Sequence, residues 1–195
     1  MMYKKNISNK IYNQMMKHFS CINSSIIETV VGVRTYNLPS TYGFSEVKNL
    51  YESYDGEIKS ILFEGIKKGV FSTAKFDSRP ELILARVMEK DKDVKNWLRP
   101  AMNEFDITYN HGHRYEPDFV VEVDDKIYLV EVKGEDKLTN PDVVAKKERG
   151  IQYCRVASHW GKANGYKEWQ YLFIPSKEVQ ATSTFNNLSA RFREF

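Results

Sequence analysis

The chain has 195 residues, 42% hydrophobic and 28% charged, which excludes a wholly disordered chain and allows one packed domain with an appendage. Its net charge is +3, from 29 basic and 26 acidic side chains, too small for the total to mark a nucleic-acid binder. Cys21 and Cys154 lie far apart without CxxC spacing, no run reaches the ~18 apolar residues of a membrane span, and the polar N-terminus lacks a signal-peptide core; these features argue against structural zinc and a membrane span and predict a cytoplasmic protein.

Residues 1–75 are expected to be mostly helical, a connector or packing segment. Ile11, Met15, Met16 and Phe19 fall at helical spacing, as do Val47, Leu50, Tyr51 and Tyr54, with a loop at Asn37-Leu38-Pro39-Ser40 and Gly43 between them. Residues 76–195 carry the sharper pattern. Ser78-Arg79-Pro80-Glu81 opens a helix to about Lys90, with Ser78 as N-cap and Glu81 three residues on, as in a capping box. Phe105-Asp106-Ile107-Thr108-Tyr109 alternates like a strand, and two more strands follow, Tyr115 to Val123 and Lys126 to Lys133. Asn140-Pro141-Asp142 starts a helix to about Ala157, and Trp169 to Ile174 reads as a buried strand stopped by Pro175. The order helix, three strands, helix, strand predicts an α/β fold with helices packed on a small sheet.

Two strand-like runs joined by Asp124-Asp125 predict a hairpin. With a two-residue loop, Val123 faces Lys126 and Asp118 faces Glu131, with Cβ atoms ~5 Å apart on one face. Alternation then puts Lys133 on that face and Phe119, Val121, Val123, Tyr128, Val130 and Val132 on the other. Facing carboxylates repel unless a cation lies between them, and Mg²⁺ takes one or two carboxylates plus waters and phosphate oxygens. A lysine beside such an ion can position water and offset charge on a phosphate. A solvated sheet face, with Lys133 paired to Glu116, explains the same residues, and a three-residue loop would separate Asp118 from Glu131.

The charge is also unevenly placed. Residues 116–136 hold eight carboxylates against two lysines, and residues 143–167 hold six Lys or Arg against one Glu. A cation site beside a phosphate track would need such a pairing, and two solvated faces of opposite sign would also produce it.

Pro117-Asp118 followed by Glu131-Val132-Lys133 resembles the PD-(D/E)XK signature of a nuclease superfamily. Phe76-Asp77-Ser78-Arg79-Pro80-Glu81, Trp97-Leu98-Arg99-Pro100, Tyr115-Glu116-Pro117-Asp118-Phe119, Tyr128-Leu129-Val130-Glu131-Val132-Lys133-Gly134 and Tyr171-Leu172-Phe173-Ile174-Pro175 occur in one order. The set is similar to the C-terminal endonuclease region of type III restriction enzyme Res subunits, over roughly residues 60–190. The resemblance implies a restriction-endonuclease-like αβββαβ core with a mixed sheet. It implies Asp118 and Glu131 as metal ligands, Glu81 as a third, Lys133 as the catalytic lysine, and Mg²⁺ as cofactor with Mn²⁺ as a substitute. Glu81 keeps its capping role as the competing explanation.

On the helix after Lys133, the resemblance points to Lys146, Lys147, Arg149 and Gln152 as DNA-facing candidates, against a solvated face. His111-Gly112-His113 has no third ligand at metal spacing and reads as a loop; Trp97, Trp160 and Trp169 read as core or groove-edge residues. The implied partners are double-stranded DNA, an ATP-dependent translocase domain and a methyltransferase (Mod) subunit. The chain itself has no GxxxxGK[ST] phosphate loop. The expected activity is Mg²⁺-dependent hydrolysis of DNA phosphodiesters; a silent DNA-binding or docking module, or an RNA or repair nuclease, are the alternatives.

Overall fold

The structure is a computed structural model and describes residues 43–101 and 104–195. The helix expected around Ile11 to Phe19, the loop at 37–40 and Cys21 lie outside these residues. Twelve elements follow in chain order: β1 (Glu46–Asn49), β2 (Ile61–Glu64), β3 (Thr73–Ala74), α1 (Arg79–Lys90), β4 (Asn96–Leu98), β5 (Ile107–Tyr109), β6 (His113–Tyr115), β7 (Phe119–Glu122), β8 (Lys126–Lys133), α2 (Pro141–Asn164), β9 (Glu168–Pro175) and α3 (Phe185–Phe192). The chain is thus mixed α/β.

The main sheet has the order β4-β7-β8-β9, with β4/β7 and β7/β8 antiparallel and β8/β9 parallel. The parallel pair needs a crossover, and α2 supplies it. Asn140 caps α2 by accepting from the Asp142 N–H, Pro141 follows at the first turn, and Gly165 ends the helix at φ 73°. The helix therefore runs past the expected stop at Ala157, because nothing breaks it before Gly165.

Both faces of the sheet are covered. Phe119, Val121, Tyr128, Val130, Val132, Leu172 and Ile174 share a core with Leu82, Leu84 and Met88 of α1 and with Phe185 and Leu188 of α3. Leu129, Tyr171 and Phe173 share a second core with Cys154 of α2 and with Ile107, Tyr109 and Tyr115. The alternative of a solvated second face does not hold, since α2 covers that side. Gly150 allows this close approach, since a Cβ there would lie 2.4 Å from the Tyr171 ring. The outer edge of β9 is met by the C-terminus, where the Glu194 N–H donates to the Tyr171 carbonyl at 3.0 Å.

Three further corrections concern the strands. Among the described residues, segment 43–75 contains strands and turns and no helix. Val47 pairs with Leu62 in a parallel ladder, and the Leu50 N–H donates to the Glu64 carbonyl. Tertiary pairing thus overrides a helical spacing that rested on four residues. The first strand of the main sheet is β4 at Trp97; the expected strand at 105–109 shortens to β5 and pairs with β6 in a separate ribbon. The expected strand 115–123 splits into β6 and β7 around Glu116-Pro117, where proline has no N–H to continue a ladder.

Candidate active site

The hairpin register is the one a two-residue turn predicts. Phe119 pairs with Val130 and Glu122 with Ile127, and the Val123 N–H donates to the Lys126 carbonyl at 2.9 Å. Asp118 sits one residue before β7. Its Oδ2 accepts the Val132 N–H at 2.8 Å, so its side chain extends the β7–β8 ladder where Pro117 interrupts the backbone.

Glu131 points to the α2 side and is 4% exposed. Its Oε1 lies 2.6 Å from Lys133 Nζ, and its Oε2 accepts the Tyr115 hydroxyl at 3.0 Å. The Tyr115 and Tyr171 hydroxyls share a hydrogen bond at 3.2 Å, which fixes Tyr115 from behind. The structure thus brings Asp118, Glu131 and Lys133 together, with Lys133 paired to Glu131 rather than Glu116.

Glu81 enters from the first turn of α1. Ser78 holds the N-cap position, but its hydroxyl donates to Glu81 Oε1 at 2.7 Å instead of accepting from the helix. Glu81 Oε2 accepts the Asp77 N–H at 3.0 Å. Neither reciprocal bond of the expected capping box is therefore made; the glutamate instead binds the Ser78 hydroxyl and the N–H of the residue before the cap.

Arg99, at the end of β4, joins the parts. Its Nη2 lies 2.7 Å from Asp77 Oδ2 and 2.9 Å from Glu81 Oε2, and its Nη1 donates to the Asp118 carbonyl at 2.9 Å. The contact from Nη1 to Asp118 Oδ1 is longer, 3.4 Å. The sequence gives Arg99 no role beyond its place in Trp97-Leu98-Arg99-Pro100. The missing signal was strand order: once β4 neighbours β7, the end of β4 must lie beside Asp118.

Burial and the nearby Glu131 charge push the Asp118 carboxyl up from 3.8 to about 7, against the pull of Arg99. Burial and Asp118 raise Glu81, and burial raises Glu131 even with Lys133 beside it. Burial lowers the Lys133 ammonium, but Glu131 more than offsets this and leaves it raised. Arg99 behaves likewise, with Asp118 and Glu81 outweighing its burial. Four carboxylates, Asp77, Glu81, Asp118 and Glu131, gather around Arg99 and Lys133, so by count the cluster is short of positive charge; burial is the first cause of the raised values at Asp118, Glu81 and Glu131.

A divalent cation fits that deficit electrostatically. Asp118 and Glu131 could hold it with waters, the small protein ligand set that Mg²⁺ accepts. Among the described residues no three His, Cys, Asp or Glu side chains are gathered to hold a metal by themselves. Both Glu81 oxygens already accept hydrogen bonds, and the Arg99 guanidinium stands between Glu81 and Asp118.

The four candidate DNA-facing residues of α2 separate. Lys146 is nearest the cluster: it pairs with Asp142 at 2.8 Å, lies over the Tyr109 ring, and its charge acts on Glu131 and Lys133. Lys147 bonds Glu194 at 2.7 Å, Arg149 Nε donates to the Thr108 carbonyl at 2.8 Å, and Gln152 is exposed. The acidic and basic stretches meet in part, through Lys167 and Glu122 at 2.7 Å. Trp97 is core, donating to Glu89 Oε1 at 2.8 Å, whereas Trp160 stacks on exposed Tyr166. Where a loop is expected at 111–113, residues 110–112 form a single 3-10 turn with Gly112 at φ 98°, while His113 begins β6 and pairs with Tyr109. No family model, curated protein or solved structure matches this chain.

Proposed function

We propose that the chain is a metal-dependent endonuclease of the PD-(D/E)XK type, cleaving DNA phosphodiesters as the cleavage module of a type III restriction enzyme. The observation that carries this reading is the β7–β8 register, which sets Asp118 beside Glu131 and Lys133 at one end of the hairpin, in a cluster short of positive charge. The sheet order β4-β7-β8-β9 between α1 and α2 supports a restriction-endonuclease-like core.

A bound Mg²⁺ supplies Lewis acidity toward a phosphoryl oxygen. Asp118 and Glu131 would hold such a cation. Lys133, next to Glu131, would orient the attacking water and offset charge developing on the phosphate. Tyr115 keeps Glu131 in place, and Lys146, whose charge reaches Glu131, would be available to an approaching phosphate. The translocase domain and the methyltransferase subunit are the partners this reading calls for.

A silent DNA-binding or docking module is the second reading. It is favoured by the internal pairing of the site, in which Lys133 neutralises Glu131 and Arg99 contacts Asp118. Plasmid cleavage with Mg²⁺ or with EDTA separates the two readings. Wild type should cleave only with Mg²⁺, and Lys133→Ala should lose about 10²–10³-fold in rate without rescue by added metal. Equal rates from both proteins would sink the nuclease reading.

A further inference from the structure

One guanidinium serves three carboxylates in this cluster, and its contacts are unequal. Arg99 is held at 2.7 and 2.9 Å by Asp77 and Glu81, but at 3.4 Å from the Asp118 carboxylate. Its side chain is 12% exposed and lies over the Phe119 ring, so it is anchored rather than free to swing into solvent. Asp118 Oδ2 is committed to the Val132 N–H, which leaves Oδ1 as the oxygen that Arg99 shares. Any cation taken up by Asp118 meets a permanent positive charge there.

We propose that Arg99 is the resident counterion of Asp118 and Glu81, offsetting part of their charge when no divalent cation is bound and competing with that cation for Asp118. This rests on the metal-dependent reading above. Arg99 acts through Asp118 and is a positioning residue. Asp77 and Glu81 keep hold of the guanidinium when a cation arrives, so it yields Asp118 Oδ1 without leaving the site. Arginine suits the role because its planar fork reaches three partners at once, which a single ammonium does not. A unit charge and a dication within ~5 Å repel strongly in a partly buried site. Removing the guanidinium therefore raises divalent-cation affinity about tenfold or more, while removing a mere structural clamp on Asp118 would lower it.

The test is calorimetric titration of MnCl₂ into wild type, Arg99→Gln and Arg99→Lys, with thermal melts of each in EDTA and in Mn²⁺. Arg99→Gln should bind Mn²⁺ about tenfold more tightly, melt lower in EDTA, and gain more from Mn²⁺ than wild type does. Arg99→Lys, which keeps the charge, should bind within about threefold of wild type. Equal or weaker binding by Arg99→Gln overturns the inference and leaves the metal site standing. So does Arg99→Lys binding as tightly as Arg99→Gln, since charge would then not be the cause. An Arg99→Gln protein that stays unfolded even at saturating Mn²⁺ overturns it too, because the guanidinium would then hold the fold. A wild type that takes up no Mn²⁺ overturns the metal-dependent reading itself, and the counterion role with it.

Discussion

Asp118→Asn should stabilise the metal-free protein above neutral pH and leave it unchanged in acid. The substitution keeps the shape of the side chain, and the asparagine oxygen can still accept the Val132 N–H that Asp118 Oδ2 now holds at 2.8 Å. What it removes is a charge that the site opposes. Moving a carboxyl from 3.8 to about 7 corresponds to roughly 4 kcal/mol between its charged and neutral forms. That value already contains the attraction of Arg99. Glu131 shares the repulsion, so removing one of the two charges releases about 2–4 kcal/mol.

The sign follows from linkage. The folded-state value lies above the unfolded one, so the stability contribution of Asp118 is complete below about pH 4 and is lost as pH rises through about 7. Asparagine has no such loss. The gap between variant and wild type should open between pH 4 and 7 and be full by pH 8. For a chain of this length it amounts to on the order of 10 °C in melting temperature. Thermal melts of both proteins in EDTA at pH 4.5, 6 and 8 measure it. A variant no more stable than wild type at pH 8, or a gap independent of pH, would refute the view that Asp118 is a strained charge.

Three further outcomes are expected. Glu81→Gln should melt within about 1 kcal/mol of wild type, since relief of a buried charge offsets the lost Arg99 pair, yet should slow plasmid cleavage at least about tenfold; full activity would reduce Glu81 to a helix-end residue. Gly150→Ala should destabilise by about 1–3 kcal/mol in urea titration, because the new Cβ meets the Tyr171 ring that backs Tyr115 and Glu131; an unchanged midpoint would mean that α2 shifts freely on the sheet. Lys146→Ala should weaken duplex DNA binding and flatten its salt dependence, whereas Lys147→Ala, whose ammonium faces Glu194, should do so less; identical slopes for wild type and Lys146→Ala would remove Lys146 from the phosphate track.

The sequence revealed what local chemistry determines. Asp124-Asp125 fixed a two-residue turn, and that turn set the register that aligns Asp118 with Glu131. Asn140-Pro141 marked the start of α2, although the expected end at Ala157 falls short of the observed end at Asn164. What stayed hidden depends on pairing between distant segments. Nothing local in Asn96-Trp97-Leu98 distinguishes the first strand of the main sheet from a connection, because only its ladder with β7 makes it one. Arg99 was invisible as a site residue for the same reason. The segment from Val47 to Tyr54 shows the converse error: four apolar positions at helical spacing were outweighed by backbone bonds to β2. The burial of Glu131 also needed tertiary knowledge, since it depends on α2 and on Tyr115 of the β5–β6 ribbon.

Placing charges at the end of this hairpin has a structural precondition. Along β8 the side chains alternate between two cores, Val130 and Val132 toward α1 and α3, Leu129 and Glu131 toward α2. A slip of one residue would carry Glu131 into the first core and expose two valines to the cluster, so the register is fixed from both sides. The parallel ladder with β9 continues through Lys133, opposite Pro175, and keeps the strand straight to its last residue. Asp118, Glu131 and Lys133 are therefore held by apolar packing rather than by their own attractions. That distinction matters energetically: a cluster organised by its ion pairs would collapse onto them, whereas one organised by the core can keep three carboxylates above their ordinary range and two cations fully engaged. The strain stays in the site as long as the two cores hold.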